Sequence, residues 1–97
     1  TGRVAVIDCV TLWCTNYLVE QPEVSLALEA LKQEFDRFTA QDATFIFVTN
    51  EIGMGGVSPN EVQRRFTDLQ GWMNQYIASK ADQVVLMVSG IPVKVKG

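Results

Sequence analysis

The chain has 97 residues, of which 47% are hydrophobic and 20% are charged, and its formal net charge is −3. This composition is typical of a compact globular domain and excludes a disordered or fibrous chain. The acidic balance argues against a general nucleic-acid surface, which needs clustered lysine and arginine. The sequence shows neither an apolar run long enough to span a membrane nor a signal-like segment, so we expect a cytoplasmic protein.

The first half of the chain predicts one strand followed by two helices. Residues 4–7 are a short β-branched run that ends at Asp8, as in a buried parallel strand. Residues 11–19 follow as a short helix with little polar surface. From Pro22 to Ala40, apolar residues recur at three- and four-residue steps, which predicts an amphipathic helix with Pro22 at its first position.

A second strand is predicted at residues 44–48, and a connection with three glycines follows it. We expect Ser58 to be the N-cap of the next helix, with Pro59 at the first helical position and Glu61 completing a capping box. Replacing this cap by alanine should then cost about 1 kcal/mol.

The helix that begins there should run to about residue 79. Residues 83–88 predict a third strand, and Ser89-Gly90 predicts a tight turn into an antiparallel strand at 91–96. Strands that alternate with helices before a closing hairpin predict a single α/β domain over residues 1–97, with three layers and a mostly parallel sheet. The first strand lacks its ordinary neighbour in a nucleotide-binding sheet, so we expect the carboxy-terminal part of a larger domain.

Polar residues follow the first two strands, where ligands of open α/β sheets collect. Asp8 stands where a carboxylate can hold magnesium beside nucleotide phosphates, although such an Asp often only caps a turn. Thr49, Asn50 and Glu51 follow the second strand, and Glu51 could share a magnesium ion or a reacting hydroxyl with Asp8. The alternative is that all three satisfy the backbone of the glycine-rich turn.

The remaining candidate residues lie on the last helix or are cysteines. Arg64 or its neighbour Arg65 could reach a phosphate, while a solvated helix face is the alternative. Asn74 and Gln75 are expected to make surface or helix-packing hydrogen bonds. The two cysteines, five residues apart, fit neither a CxxC motif nor a zinc pair, and without any histidine to complete a site we expect buried free thiols: Cys9 and Cys14.

Several stretches together, in this order, resemble one family: residues 8–13, 16–18, 48–55, then Arg64, Phe66, Asp68, Asn74 and Gln75, and finally residues 88–92. It is the bifunctional adenosylcobinamide kinase and adenosylcobinamide-phosphate guanylyltransferase family of cobalamin biosynthesis. The resemblance covers essentially the whole chain, and residues 48–55 are its most specific part.

The resemblance implies a RecA-like P-loop fold and two activities. These are phosphorylation of adenosylcobinamide, and GMP transfer from GTP to adenosylcobinamide phosphate through a covalent histidine. It further implies Mg²⁺, GTP or ATP as nucleotide substrates, and a homo-oligomer, as a trimer. The family's P-loop and histidine lie in an amino-terminal half that this sequence does not contain, so the chain alone should be inactive.

Carried over by position, the resemblance implies that Asp8 contacts magnesium or GTP, and it puts Glu51 and Arg64 at characteristic family positions. From their place beside this edge, we predict that Thr49, Asn50 and Arg64 contribute to nucleotide binding. Glu51 is the candidate catalytic residue. The alternative function is a noncatalytic binding or assembly module that keeps the fold without the P-loop and the histidine.

Overall fold

The computed structural model describes residues 2–50 and 60–97. In this part of the chain the elements follow the predicted order, and they are listed here with their bounds: β1 (Val4–Asp8), α1 (Val10–Glu20), α2 (Val24–Thr39), β2 (Thr44–Val48), α3 (Glu61–Lys80), β3 (Val84–Val88) and β4 (Ile91–Lys96). The sequence therefore predicted the type and order of these elements correctly.

Two predicted helix starts are wrong. Helix α2 begins at Val24, because Glu23 is still extended and acts as the N-cap, so Pro22 lies outside the helix. Helix α3 begins at Glu61, where the side chain of Asn60 accepts a hydrogen bond from the backbone N–H of Gln63 at 3.1 Å. Asparagine caps a helix as well as serine does, and it stands nearer to the apolar stripe. The predicted cap residues Ser58 and Pro59 lie outside the described residues.

The described strands form two separate pairs. Strands β1 and β2 are parallel, in a register that runs from Val4 opposite Thr44 to Asp8 opposite Val48. Strands β3 and β4 are antiparallel, and Ser89 and Gly90 join them with positive φ angles of 51° and 80°. Two successive positive φ angles suit the right-handed twist of a hairpin, which confirms the predicted turn.

Helices cover one face of the β1–β2 pair. The ring of Phe45 lies 5.0 Å from that of Phe38, and Phe47 lies 5.0 Å from Phe35, both partners being on α2. Side chains that alternate with these remain exposed, among them Val6 and Ile46. The described residues thus build a helical layer on one side of a strand pair, and the predicted three layers with a single mostly parallel sheet are not formed by them.

The core lies between the three helices. Its buried apolar residues come from all of them: Val10, Cys14, Ala27, Leu31, Phe35, Leu69, Met73 and Ile77. Helices α1 and α2 are also joined through Glu34, whose carboxylate accepts hydrogen bonds from Trp13 Nε1, at 3.1 Å, and from the hydroxyl of Tyr17. None of the described helices has the length and apolar character that crossing a membrane requires.

Candidate functional site

Asp8 and the residues that follow β2 lie at the same edge of the parallel strand pair. Because Asp8 is paired in register with Val48, the chain leaves β1 and β2 at the same level. Asp8 is exposed, and no residue in the ranges 2–50 and 60–97 donates a hydrogen bond to its carboxylate. The structure thus brings the predicted residues Asp8, Thr49 and Asn50 to one edge, with the Asp8 carboxylate open to a ligand.

Thr49 and Asn50 are held by two amide side chains of α3, Gln70 and Asn74, which we call the amide pair. The hydroxyl of Thr49 donates to Asn74 Oδ1 at 2.7 Å and accepts from Gln70 Nε2 at 3.3 Å. The backbone carbonyl of Asn50 accepts from Gln70 Nε2 at 3.1 Å and from Asn74 Nδ2 at 2.9 Å. Both residues beyond the end of β2 are therefore fixed to the third helix.

Thr11, in the first turn of α1, joins the same network. Its hydroxyl oxygen accepts from Gln70 Nε2 at 2.7 Å and from Asn50 Nδ2 at 3.0 Å. The network therefore connects the helix that follows Asp8, the end of β2 and the middle of α3. The hydrogen-bond partners of the amide pair in the described residues, Thr11, Thr49 and Asn50, are all uncharged.

Gln70 is the most deeply placed polar residue of this network. Its side chain is 0% exposed, and its Oε1 has no hydrogen-bond partner among residues 2–50 and 60–97. A buried acceptor without a donor costs on the order of 1–3 kcal/mol. Such a cost needs a reason other than packing, since an apolar side chain would fill the same space.

Sequence reasoning did not identify Gln70 or Thr11 as functional residues, and it assigned Asn74 only to surface or packing contacts. The available signal was the position of Gln70 between Leu69 and Met73 in the buried stripe of α3. A polar residue in an inward stripe has to find partners, and these lie in segments that are distant in sequence.

The remaining predicted site residues are Arg64, its neighbour Arg65, and Glu51. Arg64 lies in the first turn of α3 and is exposed. Its neighbour Arg65 forms an ion pair with Glu61, with 3.0 Å between Nη2 and Oε1. Glu51, the predicted catalytic residue, and the three glycines of the connection lie outside the described residues.

The carboxylate of Asp8 at this edge is chemically suited to hold a magnesium ion. In the described ranges, no three histidine, cysteine or acidic side chains come together as a metal site. Magnesium needs no such cluster, because it commonly takes one or two carboxylates and completes its shell with water and substrate phosphates. Asp8 provides one such carboxylate, and it is exposed.

The two cysteines are free thiols. Cys14 is buried in the helical core, and burial raises its pKa to about 11. Its thiol therefore stays protonated at neutral pH and acts as a small apolar group. Cys9 is only half-buried, so the expectation of buried free thiols is confirmed for Cys14 alone.

These observations define an α/β protein whose candidate ligand site lies at the carboxyl ends of parallel strands. The family model described as cobinamide kinase / cobinamide phosphate guanyltransferase matches residues 1–95. The chain belongs to this family, as its sequence resemblance indicated.

Curated relatives agree with this assignment. The chain is 37% identical over 98 residues to the bifunctional adenosylcobalamin biosynthesis protein CobP of Pseudomonas aeruginosa, an alignment that covers 99% of the chain and 55% of that protein. It is 37% identical over 102 residues to the bifunctional adenosylcobalamin biosynthesis protein CobU of Salmonella typhimurium, covering 93% and 56%. For the protein of that name from Escherichia coli, the identity is 34% over 107 residues, covering 98% and 59%. The chain thus spans little more than half the length of these relatives.

Proposed function

We propose that this chain is the carboxy-terminal portion of an enzyme that phosphorylates adenosylcobinamide and transfers GMP from GTP to adenosylcobinamide phosphate. Family membership supports the reaction type. The observation that carries the proposal to this chain is the open carboxylate of Asp8, level with the fixed polar end of β2. The chain contains no histidine, so a histidine that accepts GMP belongs to the part of the relatives that this chain does not match.

In the proposed site, Asp8 would hold magnesium, which when bound would supply positive charge against the phosphates of the nucleotide. Thr49 and Asn50 shape the edge of the site that faces the phosphates. Arg64 supplies positive charge from the start of α3, and Glu51 assists proton transfer from the reacting hydroxyl.

The exposed face of the β1–β2 pair supports the proposal of a larger RecA-like domain. Val4, Val6, Ile46 and Val48 are between 43% and 61% exposed, although strands of this composition are usually covered on both faces. The outer edge of β2 is also open in the described residues, as is that of β3. A further strand and a covering helix from the unmatched part of the family's length would bury these surfaces and join the two pairs into one sheet.

Exchange of Asp8 for asparagine in the full-length protein tests the site. Asp8→Asn keeps the size of the side chain and removes its charge, so magnesium-dependent GTP binding should weaken roughly 10- to 100-fold, the value of a charge-assisted contact. Asp82→Asn, at an exposed position before β3, is the matched control and should bind like wild type. Calorimetry with GTP and magnesium measures both variants, and unchanged binding by Asp8→Asn would remove Asp8 from the site.

A second candidate function is a noncatalytic assembly module, which the exposed apolar strands favour because such surfaces usually receive a partner. The same calorimetry separates the two functions. Micromolar or tighter GTP binding by the full-length protein supports the enzyme, whereas no binding of GTP or ATP supports the module.

A further inference from the structure

We propose that the amide pair, Gln70 and Asn74, positions the carboxyl end of β2 for catalysis and is not merely part of the helix packing. This inference rests on the proposed function and deepens it. Neither side chain is taken to touch the substrate, so both are positioning residues that act through Thr49 and Asn50.

The first argument comes from where the sheet stops. The β1–β2 ladder ends at the pair formed by Asp8 and Val48, so Thr49 and Asn50 have no strand partner among the described residues. Their places are set by hydrogen bonds with side chains of α3 and α1, some donated and some accepted. Without the amide pair, Thr49 and Asn50 would keep, of these bonds, only the one from Asn50 Nδ2 to the Thr11 hydroxyl.

The second argument is that the contacts fix the orientation of the chain at Thr49 and Asn50. Asn74 uses both ends of its amide, accepting from the hydroxyl of Thr49 at 2.7 Å and donating to the carbonyl of Asn50 at 2.9 Å. A two-point contact of this kind fixes the orientation of the chain as well as its distance from the helix. Gln70, one helical turn earlier, binds the same two residues and adds Thr11.

The third argument is the energetic cost of Gln70. Within the part of the chain that the structure describes, its Oε1 is buried without a donor, so selection for stability alone would favour an apolar residue at this position. A retained cost is typical of residues that hold a functional geometry.

The test uses three variants of the full-length protein, assayed for GMP transfer from GTP. Asn74→Leu keeps the branched shape of the side chain and removes both contacts. The resulting displacement of the strand end should lower kcat, calculated per GTP-binding site, about 100-fold while KM stays close to wild type. Gln70→Met should lower kcat roughly 10-fold, because Thr49 and Asn50 keep their bonds to Asn74. Calorimetric stoichiometry supplies the number of competent sites, so a loss of folded protein is not counted as a loss of kcat.

Asn74→Asp adds a signature that a purely structural role would not produce. The ionised carboxylate still accepts from Thr49 but repels the Asn50 carbonyl, whereas the protonated form has an O–H that can donate to it. The activity of this variant relative to wild type should therefore rise as the pH falls toward the carboxyl pKa, ordinarily near 3.9. Asn74→Leu should show no such rise, and the comparison remains informative if the leucine variant is unstable.

Gln75→Leu is the matched control. Gln75 is the neighbouring amide on the same helix, but it is exposed and lines an open groove with Trp72 and Tyr76. It should keep wild-type kcat and KM. An active wild type with unaffected Asn74 and Gln70 variants would overturn this inference and leave the proposed function intact, whereas a full-length wild type without GMP transfer would overturn both.

Discussion

The helical core and the β3–β4 hairpin both carry large apolar side chains, yet these differ in burial. Met73, in the stripe of α3, is 0% exposed, while Met87 in β3 is 60% exposed. The helices bury their stripes against one another. The hairpin has no layer over it in the described residues, so its apolar residues point to a covering surface that these residues do not supply. An apolar pattern thus predicts that a surface becomes buried, but not which part of a protein covers it.

Truncating one methionine in each region should give the largest difference in unfolding free energy between the two regions. In the 97-residue chain, Met73→Ala should lower the free energy of unfolding by about 2–5 kcal/mol, because it leaves a cavity between helices. Met87→Ala should lower it by less than about 0.5 kcal/mol, since the side chain is already solvated. Urea unfolding followed by circular dichroism measures both. Equal losses would mean that the hairpin packs as tightly as the core, and the contrast would fail.

A substitution on the exposed face of β1 should affect stability differently in the 97-residue chain and in a protein of the relatives' full length. Val6→Thr replaces a methyl group by a hydroxyl at constant shape, at a site that is 60% exposed in this chain. In the 97-residue chain the change should be worth less than about 0.5 kcal/mol. In a protein of the relatives' full length it should cost about 1–3 kcal/mol, because a completed sheet would bury the hydroxyl. Similar small effects in both would argue against a covering layer on this face.

The contact between α1 and α2 makes a smaller, pH-dependent contribution to the helical region. Tyr17 donates to Glu34, and this hydrogen bond, with burial and the carboxylate charge, raises the pKa of Tyr17 from 10.0 to about 12. Since the folded-state pKa is the higher one, this stabilisation is complete below pH 10 and is lost as the pH rises toward 12.

Tyr17→Phe should therefore reduce the alkaline fall in unfolding free energy without removing it. Cys14, with its pKa raised by burial, and Tyr76, with its pKa raised by the hydrogen bond to Asp36, also lose stabilisation in alkali. Urea titrations between pH 8 and pH 12 test this expectation. An unchanged pH dependence in Tyr17→Phe would mean that the Glu34 contact does not persist in solution.

The order of helices and strands could be predicted because each has a clear hydrophobic period. The stripe that includes Leu31 and Phe35 fixes α2, and the β-branched run of β1 ends at Asp8 as expected. The helix starts were less predictable, since Ser58 and Asn60 are both good caps and the choice depends on where the chain enters the core. Sheet layering was not predictable from local pattern, because it depends on which segments cover Val6 and its neighbours.

The candidate site was also predictable only in part, because local sequence pattern locates some of its residues and not others. Asp8, Thr49 and Asn50 could be located from the ends of apolar runs, and their common edge follows from parallel pairing. The amide pair was not predictable, because Gln70 and Asn74 contact residues 20 or more positions earlier in the sequence. Local spacing carries no information about such partners.

The environment of Trp13 provides an optical probe close to the candidate site. Its indole donates to Glu34 and stacks on Phe47, with ring centroids 6.5 Å apart, and it lies two residues after Thr11. The other tryptophan, Trp72, is 47% exposed on the outer surface of α3. Replacing Trp72 by phenylalanine would leave Trp13 as the sole tryptophan of this chain, so its fluorescence and iodide quenching would test, without any attached label, whether a nucleotide binds at the strand ends.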